Sequence, residues 1–96
     1  MIEFKSQQLV LSGHVDFKNA AQLYNQGLEI IRKQANFPLV VDLSGLEQGN
    51  TLALAILVQW LRQTPQANGL HFKAVPSKML KIIQACHLQD DLAFIQ

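Results

Sequence analysis

The sequence predicts an α/β fold, a mixed sheet of about five strands with three helices in the order ββαβαβαβ. Three observations carry this. Leu39, Val40, Val41 and Leu43 are too few for a solitary helix, are partly β-branched and follow Pro38, so they read as a buried strand. Beyond a polar turn, residues 52–58 are apolar without a break and Trp60 and Leu61 extend them, which is the pattern of a helix covered on more than one side. The bulk composition agrees: of 96 residues, 49% are apolar and only 16% charged, which suits one globular domain over residues 1–96, leaves no room for a second core and argues against disorder.

The other elements follow in order. Ile2 and Phe4 alternate with Glu3 and Lys5, and after a polar break Leu9, Val10 and Leu11 form the second arm of a hairpin-like pair closed by Gly13. Asp16 is placed as N-cap of a helix opened by Phe17 and Lys18. Ala20, Tyr24, Leu28, Ile31 and Ala35 recur at helical spacing and define its inner face, and Gly27 within it hints at a close approach. Asn36 and Pro38 end that helix. Pro65, Asn68 and Gly69 end the second, before Leu70, Phe72 and Ala74 alternate with His71 and Lys73 as a half-buried strand. The third helix starts at Pro76 with Ser77 as its cap, and Met79, Ile82, Ile83 and Cys86 line its core side. His87 and Leu88 close it, Asp90 and Asp91 turn, and residues 92–95 make the last strand.

Several functions are disfavoured by these properties. Net charge is +1 with Lys and Arg scattered, so no electrostatic footprint for nucleic acid is visible. A single cysteine, Cys86, allows no internal disulfide and no CxxC motif, consistent with a reducing compartment. The opening MIEFKSQQ has neither the basic nor the apolar region of a secretory signal, and residues 52–58 fall far short of the roughly 20 needed to span a bilayer. Any membrane association is then expected to come through a partner. No catalytic, metal or cofactor site is expected. His14, His71 and His87 are dispersed, Cys86 and His87 as helical neighbours point about 100° apart, and Gly45 and Gly49 fit no phosphate-binding loop.

What remains is the hinge within residues 39–61, LVVDLSGLEQGNTLALAILVQWL. Asp42 and Ser44 leave the strand at its carboxyl end, Gly45, Gly49 and Asn50 supply turn chemistry, and Thr51 stands where the apolar helix begins. In an open α/β sheet such a loop is where ligands and partners usually bind. Its wording resembles the STAS domain, the module of anti-sigma-factor antagonists and anion-transporter tails. Asp42, Leu43, Ser44, Gly45 and Leu46 match the first half of that family's DLSxV…D-S/T-S/G-G-L signature, and Asn50, Thr51 and Leu54 match the second. Asn50 stands for the usual Asp, and Leu52 and Ala53 replace the residues that normally follow. The serine phosphorylated in sporulation antagonists falls at Leu52, while a threonine is kept one residue earlier, as in the STAS subunit of the bacterial lipid-asymmetry ABC transporter.

The resemblance implies a non-catalytic subunit that binds and stabilises or activates the ATP-binding cassette ATPase of an inner-membrane phospholipid transporter. Through that ATPase it would reach the permease and the substrate-binding subunit, on the cytoplasmic side. The expected contacts are Leu46, Glu47, Gln48, Asn50, Thr51, Leu52 and Ala55, with Thr51 also the candidate phosphoacceptor. Each has a plainer reading beside this one: the Thr51 hydroxyl or Asn50 caps the helix, Asp42 and Ser44 form a satisfied turn, and Trp60 packs in the core. Two alternatives stay open at this level. One is an anti-sigma-factor antagonist in a phosphorylation-controlled partner switch, which needs a phosphoacceptor. The other is a small-ligand or lipid sensor, supported only by the apolar excess of the second helix.

Overall fold

The computed structural model describes residues 1–34, 37–47, 49–64 and 69–95. Within them the chain runs β1 (Ile2–Lys5), β2 (Gln8–Leu11), α1 (Ala20–Arg32), β3 (Leu39–Asp42), α2 (Thr51–Arg62), β4 (Leu70–Lys73), α3 (Ser77–Ala85) and β5 (Ala93–Ile95). The strands form one sheet in the order β1-β2-β3-β4-β5, with β1 antiparallel to β2 and every later pair parallel. Ser6 and Gln7, both at positive φ, make the tight turn that allows the antiparallel pair.

Each of the three crossovers steps one strand further in the same direction. Because such connections are right-handed, α1, α2 and α3 gather on one face of the sheet. The side-chain alternation agrees: Leu9, Leu11, Leu39, Val41, Leu70 and Phe72 are buried, while Gln8, Val10, Val40, Asp42, His71 and Lys73 between them are only half-covered. The core lies between this apolar sheet face and the helices, and among the described residues no polar or charged residue is buried in it.

Trp60 is fully buried, as the plainer reading had it, and its indole N–H donates to the Tyr24 carbonyl at 3.0 Å. Its ring lies against Gly27, where an added Cβ would stand 2.5 Å from Trp60 Cε2. The close approach hinted at by Gly27 is therefore the seam between α1 and α2.

The structure differs from expectation at several points, each for a local reason. Helix α1 begins at Ala20, because Phe17 to Asn19 form a separate turn. Asp16 Oδ1 accepts from the Lys18 and Asn19 N–H groups (2.8 and 3.0 Å) and so caps that turn, not the helix. The buried stripe of α1 is Leu23, Gly27, Leu28 and Ile31, with Ala20 and Tyr24 at its rim; Ala35 and Asn36, expected at the helix end, lie outside the described residues. Pro65 and Asn68, expected to end α2, do so too. Ser77 is the first helical residue of α3 and makes no capping bond, since Pro76 holds the N-cap position. Cys86 is exposed, contrary to its expected core placement. The helix stops at Ala85, and a Schellman closure follows: His87 takes positive φ, its N–H bonds the Gln84 carbonyl, and the Leu88 N–H bonds that of Ile83. That closure leaves Cys86 outside the packed turn. The last strand starts at Ala93, one residue later than expected.

Candidate protein-docking surface

Strand β3 delivers the chain to the middle of the sheet and ends at Asp42, whose Oδ1 accepts the Ser44 N–H at 2.9 Å. This is the satisfied turn that the residue types predict. The bond from the Ser44 backbone, helped by the Ser44 side chain and by Lys73 and Lys5, holds the Asp42 carboxyl below the usual carboxylate range against a smaller opposing effect of burial. A depressed pKa adds stability that is present above the unfolded carboxylate pKa and is lost as pH falls through the folded value. Acidification from neutral pH into and below the ordinary aspartate range should thus lower the urea midpoint more in the native protein than in Asp42→Asn. Equal acid sensitivity of the two proteins would remove the carboxylate from this role.

The next residues are tied to the start of the chain. Gly13 and Leu46 form a parallel bridge in which the Gly13 N–H donates to the Gly45 carbonyl and the Glu47 N–H to the Gly13 carbonyl, both at 2.9 Å. This bridge draws the Leu46 side chain into the core at 5% exposure, so Leu46, expected as a partner contact, packs within the domain. Glu47 is exposed as expected. Gln48 lies outside the described residues. Gly49 has a φ of +83° and is buried against the Met79 side chain, which occupies the space a Cβ would need. Asn50 is the N-cap: its Oδ1 accepts the Ala53 N–H at 2.8 Å, while its Nδ2 donates to the Val15 carbonyl at 2.9 Å. Each end of its half-buried amide thus makes one bond within the fold. This frees the exposed Thr51 from capping and leaves its hydroxyl at the first position of α2.

From Thr51 the surface turns apolar. Half-buried Leu52 and exposed Ala55 lie on one wall of a groove of about 430 Å³ between α1 and α2, with Ile56 and Gln59 beside them and Ala20, Ala21 and Tyr24 on the opposite wall. A smaller cleft shares Leu52 and runs past Thr51 and Asn50 to the loop of residues 14–17. At its rim Phe17 is 92% exposed, an unusual position for a large aromatic. Thr51, Leu52 and Ala55 are therefore brought together. The α1 wall and Phe17 were missed, although an Ala-Ala pair ahead of Tyr24 and an apolar residue next to a turn-forming Asp were the signals available.

Other candidate chemistry does not converge. His14 Nε2 lies 3.9 Å from Asp16 Oδ2, and both side chains are well exposed. Among the described residues no group of three or more His, Cys, Asp or Glu comes close enough to hold a metal ion, and no helix is long and apolar enough to cross a membrane.

This arrangement defines the class: a small α/β domain whose hinge exposes Ser44, Glu47 and Thr51 beside an apolar groove. A family model described as "Mlab, STAS domain" matches residues 1–95, and the chain belongs to that family. Among solved structures, it is 66% identical to a chain of an Acinetobacter MlaFEDB complex in an ATP-bound Vtrans2 conformation, with a TM-score of 0.92 and 99% of each chain covered. It is equally similar to a chain of the same complex in the ATP-bound Vtrans1 conformation, at 66% identity and TM-score 0.92, covering 99% of this chain and 100% of that one. An anti-sigma factor antagonist from Mycobacterium paratuberculosis shares the fold at 22% identity and TM-score 0.76, over 98% of this chain and 81% of the other. Comparison with curated proteins gives no significant match.

Proposed function

We propose that the chain is a non-catalytic regulatory subunit of an ABC phospholipid transporter that maintains outer-membrane lipid asymmetry, and that it binds the ATPase subunit on the cytoplasmic side of the inner membrane. The single observation that carries this reading is the end-to-end similarity, at 66% identity, to a chain of the ATP-bound MlaFEDB complex. The docking face is assigned to Glu47, Gln48, Thr51, Leu52 and Ala55, extended by Phe17 and the groove between α1 and α2. Its chemistry suits protein recognition: an apolar slot with an exposed aromatic beside it and polar groups at the rim. The subunit would act by mass action, binding the assembly-competent form of the ATPase and shifting the population toward it. Contact with the permease and the substrate-binding subunit is then indirect.

A partner-switching antagonist has less support. Its likeness to this chain is one of fold alone, and Leu52 occupies the position of the family's usual phosphoserine.

Purification of the tagged chain from native membranes tests the assignment. The expected result is retention of an ABC ATPase with its permease and substrate-binding subunit in fixed stoichiometry, and loss of ATPase activity from the remaining complex when the chain is stripped away. Recovery of an anti-sigma kinase, or of no transporter subunit, would overturn it.

A further inference from the structure

We propose that Asn50 is a positioning residue of the docking face, clamping the loop of residues 14–19 to the start of α2 so that Phe17 and Thr51 are presented together. This rests on the docking face proposed above and assigns to one side chain the task of assembling it. The two bonds fix the orientation of the amide: only oxygen can accept from the Ala53 N–H, and only nitrogen can donate to the Val15 carbonyl. An aspartate at this position could make the first bond but not the second, and would set a carboxylate against the Val15 carbonyl. The choice of Asn is thus explained by a partner 35 residues away.

The loop is built to transmit that bond. Asp16 N–H donates to Asn19 Oδ1 at 2.9 Å, Asn19 Nδ2 donates to the His14 carbonyl at 2.7 Å, and Asp16 Oδ1 binds the Lys18 and Asn19 N–H groups. These bonds knit it into one turn that carries Phe17 and runs on into α1 through the Ala20 N–H on the Asp16 carbonyl. Among the described residues it is tied to the hinge by the Gly13 bridge at its root and by the Asn50 amide, while the Val15 side chain is buried in the core. Of these, the Asn50 amide joins it directly to the α2 N-terminus. Ordering the loop before the partner arrives removes an ordering cost from association.

Asn50→Asp and Asn50→Ser both keep a good N-cap and lose the Val15 bond, the first with an added charge and the second without one. In both, thermal unfolding and protection of the α2 amides should stay close to native. Hydrogen exchange at the backbone amides of Asp16, Lys18 and Asn19 should rise several-fold, and affinity for the purified ATPase should fall roughly tenfold, through the ordering cost returned to the binding step. Unchanged exchange in the loop overturns the clamp. A loosened loop with native affinity overturns its part in docking. If native protein fails to bind the ATPase, or Thr51→Glu binds it normally, the docking face itself is wrong, while loop exchange still decides whether Asn50 holds the turn.

Discussion

Thr51→Glu is expected to lose affinity for the ATPase by 100-fold or more while melting at or slightly above the native temperature. The two effects separate because of where the residue stands. Thr51 is exposed at the first position of α2, and Asn50, not Thr51, supplies the capping oxygen, so the substitution removes no bond that the fold uses. A negative charge in the first helical turn also interacts favourably with the helix dipole, by about 0.3–1 kcal/mol. At a docking face the balance reverses. A longer, charged side chain beside Leu52 and the apolar cleft would be desolvated without a partner, and an unpaired buried charge costs about 2–5 kcal/mol. Calorimetric titration against the ATPase, with a thermal melt of the same sample, measures both numbers. Native affinity in the variant would move the interface elsewhere on the molecule, and a collapsed melt would show Thr51 to be structural.

Gly27→Ala is expected to destabilise the protein by about 2 kcal/mol or more, although helix propensity alone favours Ala over Gly by about 1 kcal/mol. Steric overlap decides the sign. The new methyl would fall among the Trp60 ring atoms, 2.5 Å from Cε2 and closer to Cζ2, and the ring has no freedom to retreat because it is fully buried with its N–H bound to Tyr24. For a chain of this size the loss corresponds to a fall of about 10 °C in Tm. Trp60→Leu carries its own cavity cost, but in that background Gly27→Ala should become neutral or stabilising, because the obstacle is gone and the propensity gain remains. Urea midpoints of the four proteins give the coupling directly. A stabilising effect of Gly27→Ala in the native background would mean that α1 and α2 do not meet at this seam.

The contrast between these two sites shows what could be read without coordinates. Strand β3 and helix α2 were legible because each writes its burial in its own hydropathy, three consecutive apolar residues after a proline in one and an unbroken apolar run in the other. Gly27 was visible as a candidate close approach, but its partner Trp60 sits on another helix and leaves no mark on the local pattern. The burial of Leu46 was hidden for the same reason. Within its own turn it is an isolated apolar residue among polar ones, and it is buried by a bridge to Gly13 that neighbouring residues do not encode. Phe17 was read only as the opening of a helix, and its exposure follows from the turn capped by Asp16, which its own residue type does not announce. The hinge itself was found because turn chemistry is local. Its division of labour between Asn50 and Thr51 was not, because both residue types can cap.

The sheet keeps its strands in the order in which the chain supplies them. Each strand from the second onward can pair with the one made just before it, so a nascent polypeptide leaving the ribosome never has to wait for a distant segment to complete its ladder. Every closure is limited to one hairpin or one crossover, which keeps the entropic cost of each step small. Growth is then vectorial, and the last strand is an addition to an existing flank. Shortening the protein from its C-terminus should first unzip that flank, while the central strand and the hinge it carries are already in place.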